Sequence, residues 1–308
     1  MKLAKEIAPI DTIIIDCYYV AYRGFCSTPP LHSSQGVPTN AIHGFLGSVR
    51  QMIKELKPKS VIVATEGKTN LRDQMSGDYK AGRTLPQPFS QQIPYIYNIC
   101  KLYGWHILEV DGYEADDSIA AVGRKLKEAG KRGVVFTTDK DIISRVTPDT
   151  GIVAVFMREK GKSYVLEAAD YLAKWGVPTH QIPEILCLCG DSVDNVPGVK
   201  GIGKSSATAL IQTYGTVDNV LANLDKVTPA RVKALLSSPE GQESLKLSQS
   251  LIQLNDQLPV PEEFFSTKPI DYKGLEELFL SLDMRKTAEG IVGEKNAQEK
   301  LNLLDNVL

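Results

Sequence analysis

Three carboxylates fall within four residues of the stretch Gly112-Tyr113-Glu114-Ala115-Asp116-Asp117. Side chains so close repel one another unless a cation sits among them. A helical run, Ser118 to Leu126, follows directly. The same acids would therefore also serve as helix caps, complementing the dipole and accepting free N–H groups. Both readings stand for this stretch taken alone. Comparable acids recur elsewhere: Asp16, Glu66, the pair Asp139 and Asp141, and the pair Asp191 and Asp194. Oxygen ligands of this kind suit Mg²⁺ or Mn²⁺ rather than zinc.

The elements before these acids give them a common address. Thr12-Ile13-Ile14-Ile15, Val61-Ile62-Val63-Ala64, Trp105-His106-Ile107-Leu108-Glu109 and Gly133-Val134-Val135-Phe136 read as strands, and Val153-Ala154-Val155-Phe156 as a further one. Short β-branched apolar runs are typical of buried parallel strands. Helical periodicity lies between them, most clearly over Ala41 to Leu56 with Ile42, Phe45, Leu46, Val49, Met52, Ile53 and Leu56 on one face. The alternation predicts an α/β fold, a mostly parallel sheet flanked by helices with right-handed crossovers. Asp16, Glu66, the 114–117 acids, Asp139 and Asp141 then all stand just past strand C-terminal ends. Ligands bind along that edge in open parallel sheets. After about residue 185 the pattern is helical, which divides the chain into an α/β region, 1–185, and a helical region, 186–308.

Two further stretches carry chemistry. Residues 68–88 are polar and basic, with Arg72, Lys80 and Arg83, and with Tyr79 among them; a connection this long is usually functional or disordered. Gly198-x-x-x-x-Gly203-Lys204-Ser205 matches a nucleotide phosphate loop. That motif needs a strand before it, and Pro197 argues against one. The alternatives are a plain helix–helix turn and a hairpin between helices whose backbone N–H groups grip nucleic-acid phosphate.

With 308 residues, 43% hydrophobic and 23% charged, and a net charge of -2, the composition is that of an ordinary globular chain. Bulk positive charge is excluded as the means of holding nucleic acid. Cys17, Cys26, Cys100, Cys187 and Cys189 are odd in number and lack zinc-site spacing. Cys187 and Cys189 sit in an apolar run and read as buried thiols, in keeping with a reducing compartment. No secretory leader and no membrane span is legible, so a cytoplasmic, nucleoid-associated protein is expected. The basic residues Arg124, Lys125, Lys127, Lys131 and Arg132 read as a solvated helix face, and Arg158, Lys160 and Lys162 as decoration on a hairpin.

Taken together, Ile15-Asp16 with Ala21-Tyr22-Arg23, Tyr79-Lys80-Ala81-Gly82-Arg83, Gly112 to Asp117, Thr138-Asp139-Lys140-Asp141 and Gly190 to Gly203 resemble the bacterial 5′ nuclease family. That family comprises the 5′→3′ exonuclease domain of DNA polymerase I and the flap endonucleases. The resemblance covers Thr12 to Leu282. It implies hydrolysis of DNA with 5′ ends or 5′ flaps by two Mg²⁺ or Mn²⁺ ions. The implied ligands are Asp16, Glu66, Glu114, Asp116, Asp117, Asp139, Asp141, Asp191 and Asp194. Lys80 and Arg83 are implied beside the cut phosphate. Arg23, Arg72, Tyr79, Gly198, Lys200, Gly201, Gly203, Lys204 and Ser205 are implied against the DNA, Tyr79 by stacking on a base. A K⁺-assisted helix–hairpin–helix is implied over Asn195 to Ala207. The 68–88 segment is expected to order over a frayed 5′ strand. Where the family has Asp after the second strand, this chain has Glu66, one methylene longer; a weakened site that only binds branched DNA is the alternative it raises. A nucleotide triphosphatase and a metal-dependent ribonuclease are the others. No polymerase module follows Leu308, so a free-standing monomer with a functional link to a polymerase is expected.

Overall fold

The computed structural model describes residues 1–82, 84–159 and 161–305, the last six of these by backbone alone. Seven strands form one sheet: β1 (Lys2–Leu3), β2 (Thr12–Asp16), β3 (Ser60–Thr65), β4 (His106–Glu109), β5 (Arg132–Phe136), β6 (Gly151–Glu159) and β7 (Lys162–Glu167), in the order β1-β7-β6-β5-β2-β3-β4. From β6 to β4 all neighbours run parallel. β6, β7 and β1 pair antiparallel. The expected parallel sheet is thus extended by a hairpin bearing Arg158 and Lys162; Lys160 of that expectation lies outside the described residues. Neither β1 nor β7 was read as a strand, although the turn between β6 and β7 was read as a hairpin. β1 is only two residues long, and β7 alternates polar and apolar side chains too weakly to stand out.

Each central strand is buried on both faces, which is why its sequence is continuously apolar. Ile14, Ile62 and Val135 face one core, with Ile119, Val122 and Leu126 of helix Ala115–Glu128. Ile13, Ile15, Val61, Val63, Val134 and Phe136 face the other, with helices Cys17–Ser27, Asn40–Leu56 and Ile93–Leu102. A fully buried side chain such as Phe45 contributes roughly 1.5–3 kcal/mol. The first two of these helices cross in backbone contact: a Cβ on Gly44 would lie 2.3 Å from the Cα of Gly24.

Side chains beyond residue 185 join both cores. Leu188, Ala207, Ile211, Leu236 and Leu251 pack on the side of helix Ala115–Glu128, while Leu275 and Phe279 pack on the other face of the sheet. The last helix is Arg285–Asp305. Because β2 lies between β3 and β5, chain connections leave its two sides in opposite directions. That is the switch point at which a crevice opens beyond the strand ends.

Candidate metal centre

A cleft of about 560 Å³ opens at this switch point, and Asp16, Glu66, Asp116, Asp139, Asp191 and Asp194 line it together with Lys80 and Lys140. Asp16 ends β2 and caps the following helix, accepting the Tyr19 N–H at 3.1 Å. Thr137, just past β5, donates its hydroxyl to Asp16 at 2.9 Å and accepts the Asp139 N–H at 3.2 Å. One threonine therefore sets the spacing of two acids from neighbouring strands. Asp139 caps the short helix Lys140–Ile143. Glu66 follows β3, and its Oε2 accepts the Ala115 N–H at 3.1 Å, at the N-terminus of helix Ala115–Glu128. Asp116 stands in the first turn of that helix.

Burial raises the carboxyls of Asp16, Glu66, Asp116 and Asp141, and neighbouring acids raise them further. Asp16 is pushed up to about 6, by burial and then by Asp139, with the Tyr19 N–H and Thr137 hydroxyl opposing. Glu66 is pushed up to about 7 by burial and then by Glu114, Lys80 opposing. Asp116 lies well above the usual carboxylate range through burial, then Asp139, Asp16 and Glu66. Asp141, which is not among the residues lining the cleft, is pushed up to about 8 by burial and then by Asp139, Asp194 and Asp191. The donor set is all oxygen and fits a hard divalent cation. Among the described residues, no group of three or more carboxylate, imidazole or thiol side chains is already drawn into a metal-ligand set.

A folded-state carboxyl held above its unfolded value binds more protons when folded, so stability falls as pH rises between the two values. For Asp16 and Glu66 that window runs from their ordinary values, 3.8 and 4.5, up to about 6 and about 7. A cation replaces the protons and removes the penalty. Mn²⁺ is accordingly expected to raise the melting temperature more at pH 8 than at pH 5. Equal shifts at both pH values, followed by calorimetry, would contradict this origin of the raised carboxyls.

Two of the expected ligands are engaged elsewhere. Glu114 accepts from Arg72 Nη1 at 3.0 Å, the Tyr79 hydroxyl at 3.0 Å, Lys80 Nζ at 2.6 Å and Asn70 Nδ2 at 3.1 Å. Asp117 is 0% exposed. It takes Arg72 through both oxygens at 2.6 and 2.9 Å, and the N–H groups of Glu114 at 3.2 Å and Asn255 at 2.8 Å. A carboxylate offers about four lone-pair sites, so neither group has one left for a metal. Both brace the site and are corrected from ligands to supports.

The same contacts correct Arg72 and Tyr79. Arg72, expected against DNA, is 6% exposed and also donates to the carbonyls of Leu251 and Gln253 at 2.9 and 3.0 Å. Tyr79, expected to stack on a base, is buried with its hydroxyl on Glu114. Arg23 is likewise turned inward: its guanidinium donates to the Arg158 carbonyl and lies 5.6 Å from the Phe136 ring centroid. Arg83 lies outside the described residues. Asn70, Thr137 and Asn255 hold the acids in place, and no local sequence signal marks them.

The glycine turn runs between helices Ile182–Cys189 and Lys204–Tyr214. A helix, not a strand, precedes it, so the phosphate-loop reading lacks its required context. Lys200, Gly201, Gly203, Lys204 and Ser205 are exposed. Gly203 caps the second helix without a side-chain hydrogen bond, leaving N–H groups open to an anion. Lys204 Nζ stands 3.6 Å from the Trp175 ring centroid. Gly198, expected against DNA, is buried instead. Its N–H donates to Ser248 Oγ at 2.9 Å, its φ is +61°, and a Cβ there would lie 2.2 Å from the Gly190 nitrogen. Gly198→Ala is therefore expected to cost more than about 1 kcal/mol of stability through strain, read as a lower urea midpoint. An unchanged midpoint would show that the hairpin can open to admit the methyl.

The family model "5'-3' exonuclease, N-terminal resolvase-like domain" matches residues 11–176, and "5'-3' exonuclease, C-terminal SAM fold" matches 177–273. The chain is 34% identical over 276 residues to a 5'-3' exonuclease of Aquifex aeolicus, covering 88% of this chain and 92% of the relative. It is 32% identical over 299 residues to DNA polymerase I of Bacillus caldotenax, covering 94% of this chain but 33% of the polymerase. The fold is similar to that of the bacteriophage T5 D15 flap endonuclease, in a complex with DNA and metal ions. That likeness has a TM-score of 0.64 at 19% identity, covering 92% of this chain and 98% of the other.

Proposed function

Because the chain belongs to the 5′-3′ exonuclease family, we propose that it is a structure-specific 5′ nuclease, hydrolysing phosphodiesters near 5′ ends and 5′ flaps of DNA in replication and repair. The observation that carries this reading is the gathering of Asp16, Glu66, Asp116 and Asp139 from four separate chain segments around one cleft. These four, with Asp191 and Asp194, would hold two Mg²⁺ or Mn²⁺ ions. Ions bound there supply a water of lowered pKa and neutralise charge on the leaving oxygen.

The protein's own groups do the rest. Lys80 lines the cleft with its ammonium on Glu114. It is placed to meet charge that builds on the phosphate, and the family resemblance assigns Arg83 the same role. Residues 1–185 supply four of the six acids, and Asp191 and Asp194 come from the region beyond. The exposed turn 200–205 and the helix N-terminus behind it grip duplex phosphates, with K⁺ as the bridging ion. Asp141 supports the ligands from outside the cleft lining. Similarity to the Aquifex exonuclease extends over most of both chains, whereas the chain spans about a third of the length of the Bacillus caldotenax polymerase.

The test is cleavage of an end-labelled 5′-flap DNA across a series of Mg²⁺, Mn²⁺ and Ca²⁺ concentrations, with an RNA strand in parallel. Metal-dependent release of the flap is expected. Tight flap binding without cleavage in any metal would turn the reading towards a branched-DNA-binding protein weakened at Glu66.

A further inference from the structure

Between Asp139 and Asp141 stands Lys140, the first residue of the short helix Lys140–Ile143. Its side chain lines the same cleft as Asp139 and Asp191. The ammonium is 2.5 Å from Asp191 Oδ2. The other oxygen, Oδ1, accepts the Val193 N–H at 3.0 Å. The Asp191 main chain is closed on Val196 by two hydrogen bonds of 3.0 and 2.8 Å. The carboxylate is thus fixed on its backbone side, while its cleft side is taken by a flexible cation. The two partners differ in freedom: the Asp191 side chain is 8% exposed and that of Lys140 is 39% exposed. The lysine can swing into water without disturbing the fold, and the carboxylate cannot.

An ammonium and a divalent cation compete for the same oxygen. We propose that Lys140 is the resident counter-ion of Asp191, holding Oδ2 until a divalent ion displaces it. The Asp191 side of the cleft then loads last and most weakly, and the released ammonium is free to meet substrate phosphate. Lys140 is in this sense a positioning residue. The inference rests on the reading of the cleft as a metal site, and the test separates the two.

Mn²⁺ is titrated by calorimetry into the full chain without DNA, for the wild type, Lys140→Gln, Lys140→Arg and Asp191→Asn, with circular dichroism confirming that each is folded. Removing one unit charge beside a buried carboxylate is expected to tighten the weaker Mn²⁺ event roughly tenfold in Lys140→Gln. Lys140→Arg keeps the charge and is expected to stay close to the wild type. Asp191→Asn should weaken or erase the same event. In cleavage assays the Mg²⁺ midpoint of Lys140→Gln should move to lower concentration. An unchanged or weaker Mn²⁺ affinity in Lys140→Gln, with Asp191→Asn still weakened, would overturn this inference and leave the metal site standing. No Mn²⁺ binding by the wild type would overturn both.

Discussion

Asp116→Asn is expected to abolish flap cleavage and, in the same protein, to raise the melting temperature measured in EDTA. The two effects share one cause. Asp116 is 8% exposed and its charge is opposed by Asp139, Asp16 and Glu66. Asn keeps the shape and needs neither a buried charge nor a bound proton in its place, so the metal-free fold gains stability at neutral pH. The same change removes an anionic oxygen from the set that would bind the cation. Loss of one well-placed electrostatic group at a reacting centre costs roughly 10²–10³ in rate, and loss of a ligand is expected to meet or exceed that. Steady-state cleavage of a 5′-flap substrate, paired with a thermal melt in EDTA, reads both. Undiminished cleavage would remove Asp116 from the reaction; a lower melting temperature would show that its charge is already compensated.

The largest effect on stability is expected from Arg72→Met. Burial works against the Arg72 charge, but Asp117 and then Glu114 outweigh it and hold the guanidinium protonated. Deleting the cation leaves Asp117, at 0% exposure, without its main partner. Breaking a buried pair from one side typically costs about 3–5 kcal/mol, to be read from urea unfolding. Arg72→Lys should recover only part of this, because a point charge cannot replace the fork that bridges two carboxylates and two carbonyls. The double variant Arg72→Met, Asp117→Leu should be more stable than Arg72→Met alone. A loss below about 1 kcal/mol would mean that water reaches Asp117 readily, in conflict with its burial. Cleavage should also fall, since Arg72 ties the start of the 68–88 segment to helix Ala115–Glu128 and to residues 251–253.

How far the fold was legible follows from the physics of each element. Strands β2, β3, β5 and β6 announced themselves because their middle residues are buried on both faces and form apolar runs. Helix Asn40–Leu56 announced itself through a single apolar stripe. Strand β6 was read from its run Val153 to Phe156, and the hairpin to β7 only from a cluster of charged residues around Gly161, since β7 opens and closes on charged residues. The helical turn was read correctly against its phosphate-loop resemblance because one residue, Pro197, is incompatible with the strand which that motif needs.

The site divides along the same line. The amino-acid order alone settled that acids follow β2, β3 and β5, and that a parallel sheet would carry them to one edge; strand direction and the two-residue period suffice for that. It could not settle which acids face the cleft. Glu114, Asp116 and Asp117 are neighbours in the chain, yet Asp116 lines the cavity while the other two are saturated by Arg72, Tyr79, Lys80, Asn70 and Asn255. Successive helical residues point about 100° apart, and their partners come from segments 34 to 138 residues away. Only folding brings such donors and acceptors within hydrogen-bond range, and a carboxylate whose lone pairs are already filled is chemically a different group from one that faces open space.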